Sequence, residues 1–160
     1  MCFLIAFTVI NISNSSGLPI QKEISRSDFY DALSSSDTVK TNILLSRLEN
    51  VNTTTAKAYT GTLLMKKSGL LKSASKKLSF FKQGKLLLQQ AIEAENSNSE
   101  FRFMRLIIQE NSPPFLKYNK DIEQDAAIVK QSYKNFSNEL QKAVQDYAKN
   151  SLALKSLSVN

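Results

Sequence analysis

Arg102, Arg105 and Gln109 are the residues whose types and spacing best suit chemistry in this sequence. At 100° per residue of helix they fall within about a 60° wedge. The residues around them are apolar: Phe101, Phe103, Met104, Leu106, Ile107 and Ile108. A helix apolar over most of its circumference is an internal one. The two guanidiniums are therefore expected at the edge of a core, where they need carboxylates or carbonyls. Two arrangements satisfy that need. One is a structural ion-pair strip, with Asp121, Glu123, Asp125 or Glu110 as partners. The other is a groove for an anion or carboxylate, with Arg102 and Arg105 as fork donors. Just downstream, residues 111–119 (NSPPFLKYN) supply Phe115 and Tyr118 beside two prolines. These form either the lip of that groove or a plug that completes the core. The candidate groove thus comprises Arg102, Arg105, Gln109, Phe115 and Tyr118.

Other chemistries lack their residues. The chain has no histidine, which removes the commonest general base and metal ligand. Its one cysteine, Cys2, sits in an apolar N-terminal run, so no intrachain disulfide, zinc–thiolate site or cysteine nucleophile is expected. The D-x-E-x-D spacing of Asp121, Glu123 and Asp125 suggests an oxygen-ligand loop. The glycine and closing glutamate of a calcium loop are missing, and a charged helix N-terminus accounts for the spacing better. An enzyme working with carboxylates and arginines alone would need a spaced acidic pair, and none is singled out. Asn-x-Ser/Thr triplets begin at Asn11, Asn52 and Asn135, as a Ser- and Thr-rich chain produces by chance. No phosphate-binding, dinucleotide or nucleophile-elbow motif is present. The expectation is a protein without catalysis, cofactor or metal.

Charge supplies the second candidate surface. Lys and Arg number 21 against 14 Asp and Glu, a net charge of +7. The excess is concentrated in residues 57–85, which carry Lys57, Lys66, Lys67, Lys72, Lys76, Lys77, Lys82 and Lys85 with no acidic residue among them. Such a field favours anionic partners, whether a polymer or lipid headgroups. The plainer alternative is a solvated lysine face that aids solubility. No aromatic interleaving marks a base-stacking platform, so no specific nucleic-acid motif is read here.

Residues 2–10 (CFLIAFTVI) form an uncharged apolar run, and 11–17 (NISNSSG) are small and polar. The pair has the form of a signal peptide's apolar stretch and cleavage region, although no basic residue precedes it. The run falls short of the roughly 20 residues of a membrane-spanning helix. The expectation is a leader over 1–17, a connector over 18–25, a single helical domain over 26–155 and a fraying tail over 156–160. It places the protein outside the cytoplasm, in the periplasm or envelope, with no transmembrane helix in the mature chain.

The elements that must position these residues are helices. With 4 Gly and 3 Pro the chain has too few turn residues for an all-β domain. Ser27 opens a short helix with Phe29 and Leu33 inward. Val39, Ile43, Leu44 and Leu48 mark a second at helical spacing. The third runs from about Thr54 to Ser68, with Gly69 as its stop. An uncertain connector follows over 70–75. The fourth, from about Lys76 to Ala94, places Phe80, Phe81, Gly84, Leu87, Leu88 and Ala91 on one stripe. Gly84 there permits close approach of another helix. The fifth spans Glu100 to about Glu110 and is stopped by Pro113 and Pro114. A sixth turns Ile122, Ala126 and Val129 inward. A seventh runs from about Phe136 to Leu154. Short connections between consecutive helices predict antiparallel hairpins, forming a bundle or a short solenoid.

Residues 81–98 (FKQGKLLLQQAIEAENSN) resemble the second helix of a tetratricopeptide repeat and its following turn, with Gly84 and Ala91 in the small-residue positions. The repeat's usual proline is absent and no 34-residue period emerges. More broadly, AKAYTGTLLMKKSG, FFKQGKLLLQQAI and EFRFMRLIIQENSPPFLKYN resemble a group of small exported helical proteins of the Bacteroidota that carry no assigned activity. That resemblance implies an all-helical fold and an envelope location, and transfers no catalytic residue. The sequence is therefore read as a non-catalytic helical interaction or scaffold module, its partner another protein. The alternative is a basic surface for an anionic polymer or membrane headgroups.

Overall fold

In the computed structural model, which describes residues 24–158, one helix lies at the centre. It is α5, Ser99–Glu110, and nearly every side chain along it is buried. Asn98 starts it by accepting from the Glu100 amide at 3.1 Å, and Pro113 lies just past its end. Four of the other helices pack against it. The elements before it are α1 (Arg26–Ser34), α2 (Thr38–Leu48), α3 (Thr54–Leu70) and α4 (Ala74–Ala94). Those after it are α6 (Ile122–Ser132) and α7 (Asn138–Ala148), with short 3-10 turns at Pro114–Leu116, Tyr133–Asn135 and Lys155–Leu157. The described residues contain no strand. The expected all-α class is what the chain adopts.

The arrangement is a bundle. α5 touches α3, α4, α6 and α7, and α1 packs against α7 as well as against α2 and α3. A solenoid brings each hairpin against its sequence neighbours only. Here the two ends of the described chain meet, and the tetratricopeptide-like stacking is not reproduced. Phe29, Leu63, Leu88, Phe101, Phe103, Met104, Leu106, Val129, Val144 and Leu154 are completely buried in a single core.

The α3–α4 hairpin is built by close backbone contact. A Cβ added at Gly61 would lie 2.7 Å from the Gly84 carbonyl oxygen. Only glycine permits that spacing, so Gly84 has the role expected of it, and Gly61 is its counterpart. Buried Thr62, on the same helix, donates its hydroxyl to the Ala58 carbonyl at 2.8 Å, which leaves no polar group unmet there.

Several boundaries and faces depart from expectation. α1 is capped by Ser25, which accepts from the Asp28 amide, and Ser27 lies within the helix. Gly69 does not stop α3. It has no left-handed backbone, and the helix runs on to Leu70. The connector is short because Ser73 caps α4, which begins at Ala74. On α2, Thr41, Leu44 and Leu48 face the core, while Val39 and Ile43 are more than half exposed. Thr41 can occupy the inner face because its hydroxyl bonds back to the Asp37 carbonyl at 3.3 Å. α7 begins after its Ser137 cap and ends at Ala148. The chain then turns so that Ser151 and Leu154 are buried and Leu152 is exposed. Ser156 belongs to a 3-10 turn. The expected leader over 1–17 and most of the connector over 18–25 lie outside the described residues.

Candidate functional site

The arginine strip is an ion-pair network inside the bundle. Arg105, 5% exposed, donates from Nε to Asp125 Oδ2 at 2.7 Å and from Nη2 to Asp125 Oδ1 at 2.8 Å. Asp121 Oδ1 stands 3.6 Å from the same guanidinium. This two-pronged geometry satisfies both carboxylate oxygens of a completely buried aspartate. Burial nevertheless holds the Asp125 carboxyl above its usual range, against the pull of the Arg105 hydrogen bonds and charge. Gln109 continues the seam, donating from Nε2 to Asp121 Oδ2 at 2.8 Å and accepting from the Asp121 amide at 3.3 Å. Arg102 lies 4.0 Å from Asp125 Oδ1 and donates to the side-chain and backbone oxygens of Asn96, while its Nε meets no acceptor. Glu123 is exposed and takes no part.

The groove expected from these residues is not assembled. A cleft of about 910 Å³ does lie beside Gln109, Pro113, Pro114 and Tyr118, but Arg102, Arg105 and Phe115 do not line it. Phe115 is 79% exposed and plugs nothing. The two prolines carry it outward on the 3-10 turn, and Lys117 then reverses the chain with φ 48. That reversal turns Tyr118 inward, where its ring meets Phe81 edge-on at 5.5 Å between centroids. Tyr118 thus completes the core as the plug reading required, and Phe115 does not. The fork of Arg105 is taken up by Asp125, and Arg102 donates from its Nη2 to Asn96.

Two further carboxylates organise the rest of the body: Glu100, which sequence reasoning left unassigned, and Glu110, which was a candidate partner of the arginines and meets other donors instead. Glu100, at the start of α5, is 5% exposed. It accepts from Arg26 Nε at 3.0 Å, from the Tyr59 hydroxyl at 3.2 Å and from the Tyr30 hydroxyl at 3.4 Å. Glu110, at the other end of α5, accepts from the Tyr147 hydroxyl at 2.8 Å, Ser151 Oγ at 2.7 Å and the Ala153 amide at 3.1 Å. Burial, with the facing carboxylate next in effect, pushes the Tyr30 and Tyr59 phenols up. For Tyr147, burial is followed by its hydrogen bond to Glu110. α5 is therefore tied to α1 and α3 by Glu100, to α6 by Arg105, and to α7 and the segment after it by Glu110. The only sequence signal was that these two acids flank a mostly apolar helix.

No group of three or more His, Cys, Asp or Glu able to hold a metal exists among the described residues. A second cleft, of about 670 Å³, opens beside Arg26, Arg47, Tyr59 and Glu139. Its Arg26 and Tyr59 are already engaged by Glu100.

The lysine surface has a different character. Lys57, Lys72, Lys76, Lys77, Lys82 and Lys85 are exposed, and Lys66 and Lys67 are half-buried along their stems. Two lie over aromatic rings: Lys67 Nζ is 5.2 Å from the Phe80 centroid and Lys85 Nζ 5.1 Å from that of Tyr118. None forms an ion pair among the described residues, whereas Arg26, Arg47, Arg102 and Arg105 each lie within 4.0 Å of a carboxylate. Every residue from Lys72 to Ser79 is exposed, so the outer end of the hairpin stands clear of the body as an arm.

No protein-family model, curated protein or solved structure matches this chain. Among the described residues no helix is long and apolar enough to cross a membrane.

Proposed function

We propose that this protein is a non-catalytic helical interaction module, and that its contact surface is the lysine face of the α3–α4 arm. What it meets carries negative charge. One contrast carries this reading. The arginines of the body each meet a carboxylate, while among the described residues no lysine of the arm forms an ion pair. Like charges gathered on a projecting hairpin repel one another, and an anionic partner relieves that repulsion. The two-pronged pairing of Arg105 with Asp125 argues against the alternative contact site, since that fork is occupied. The apolar run and polar stretch over 1–17 support export to the periplasm or envelope as part of the same reading.

Retention on a sulfated-polysaccharide column tests it. Lys72→Gln/Lys76→Gln/Lys77→Gln/Lys82→Gln removes four charges from the arm. Lys120→Gln/Lys130→Gln/Lys134→Gln/Lys155→Gln removes the same number from exposed positions on the body. The arm variant is expected to elute at much lower salt than the body variant. Equal elution of the two would mean that net charge alone governs binding, and the arm would have no special role.

A further inference from the structure

The outer end of the arm combines two features. Its lysines share that surface with leucines. Leu70 is 36% exposed and Leu78 46% exposed, and Leu71 is half-buried between them in sequence. Gly61 abuts Leu87 across the hairpin. As α3 runs on from Gly61 to Leu70, α4 runs back from Leu87 to Leu78, so the two leucines stand at the same level near the tip. Around them are Lys66, Lys67, Lys72, Lys76 and Lys77, and the sequence contains no acidic residue between Val51 and Ile92.

A soluble polyanion would engage the lysines but leave the leucines in water. A stretched single strand of nucleic acid would need stacking faces, and the nearest ring, Phe80, is covered by Lys67. A bilayer interface carrying anionic lipids suits both features. Ammonium groups reach the headgroup charges, and apolar side chains enter the headgroup–acyl boundary a few ångströms below. Lysine stems follow the same gradient, with their charged ends turned back to the headgroups. We propose that the tip of the α3–α4 arm docks on a bilayer surface rich in anionic lipid. Leu70 and Leu78 enter the boundary layer, while Lys72, Lys76 and Lys77 hold the headgroups. This inference rests on the arm being the surface for negative charge, and adds the identity of the partner.

The chain has no tryptophan, so Leu78→Trp in the full chain makes a single reporter at the tip. The probes are vesicles of phosphatidylcholine alone, vesicles of phosphatidylcholine mixed with phosphatidylglycerol, and a soluble sulfated polysaccharide. On the mixed vesicles the emission should shift to the blue and be quenched by brominated acyl chains. On pure phosphatidylcholine, and on the polysaccharide, it should stay at its value in water. Cosedimentation in the otherwise native chain supplies the second readout. Lys72→Gln/Lys76→Gln/Lys77→Gln should weaken binding to the mixed vesicles on the order of 100-fold. Leu70→Gln/Leu78→Gln should weaken it about tenfold, with charge unchanged. The apolar N-terminal run is common to all variants, so these differences report on the arm. Lysine-dependent binding to the polysaccharide with no blue shift on vesicles would overturn the lipid partner and leave the charge reading standing. Vesicle binding indifferent to the lysine substitutions would also overturn the docking proposal. Absence of lysine-dependent binding to either probe would overturn both.

Discussion

Gly61 and Gly84 meet backbone to backbone across the α3–α4 hairpin. A Cβ on Gly84 would run into the Gly61 carbonyl oxygen and come within 2.9 Å of the Met65 amide nitrogen. Backbone cannot swing aside as a flexible side chain can. The two helices of the arm are therefore locked in register at their midpoints.

That contact reverses the usual effect of a helix substitution. Glycine to alanine in an exposed helix interior gains up to about 1 kcal/mol. Gly84→Ala is expected instead to cost roughly 1–3 kcal/mol, as overpacking does. Gly69→Ala is the control, since nothing lies within 4 Å of its added methyl, and it should be neutral to stabilising. Urea denaturation of the two variants gives the comparison, and a stable Gly84→Ala protein would contradict the close hairpin contact.

The Arg105–Asp125 pair makes a second stability claim. Arg105→Ala leaves a completely buried carboxyl without its two strongest donors, which should cost about 3–5 kcal/mol. Lys77→Ala, at an exposed position of the arm, should change stability by no more than about 0.5 kcal/mol. Replacing both partners, as Arg105→Met/Asp125→Leu, should recover much of the loss, because no charge remains buried. Thermal melts of the three proteins decide this. A single substitution as mild as that of Lys77 would mean that the pair does not hold α6 to α5.

Four tyrosines make alkaline pH informative. Burial raises the phenols of Tyr30, Tyr59, Tyr118 and Tyr147 above their ordinary value of 10.0. Unfolded tyrosine ionises first, so the stability these groups contribute is fully present below about pH 10 and declines as pH rises beyond it. Each adds a slope of up to about 1.4 kcal/mol per pH unit. Denaturation curves from pH 8 to pH 11.5 should show stability constant at first and then falling steeply. Ultraviolet titration of the native protein should show phenolate appearing together with unfolding. Normal tyrosine titration in the folded protein would contradict the hydrogen-bonded clusters at Glu100 and Glu110.

The readability of this molecule followed the range of its interactions. The phase of α5 was legible, because six apolar residues leave Arg102, Arg105 and Gln109 on one strip, and the next helix offers acids in reach. Gly84 and Leu88 were legible from the stripe on α4. The partner glycine, Gly61, was not, because its role depends on a register between helices. Glu100 and Glu110 resemble ordinary charges at helix ends, and their donors come from Arg26, Tyr30 and Tyr59 on one side and Tyr147 and Ser151 on the other. No local pattern links residues so far apart. Phe115 was misplaced because the backbone reversal at Lys117, a residue without the usual preference for it, decides which aromatic turns inward. On α2 the hydrophobic pattern grouped Val39 and Ile43 with Leu44 and Leu48, but tertiary packing kept only the two leucines and chose Thr41 beside them.

The measurement that bears most directly on the arm as a contact surface is the salt dependence of binding to a linear polyanion. Counterion release makes the logarithm of affinity fall with the logarithm of salt, by about 0.7–0.9 for each charge engaged. Lys72→Gln/Lys76→Gln/Lys77→Gln/Lys82→Gln should therefore weaken binding and flatten that slope by about 3. The body variant, with the same net charge, should keep most of both. Equal slopes and affinities for the two variants would show that the arm is not where the protein meets negative charge.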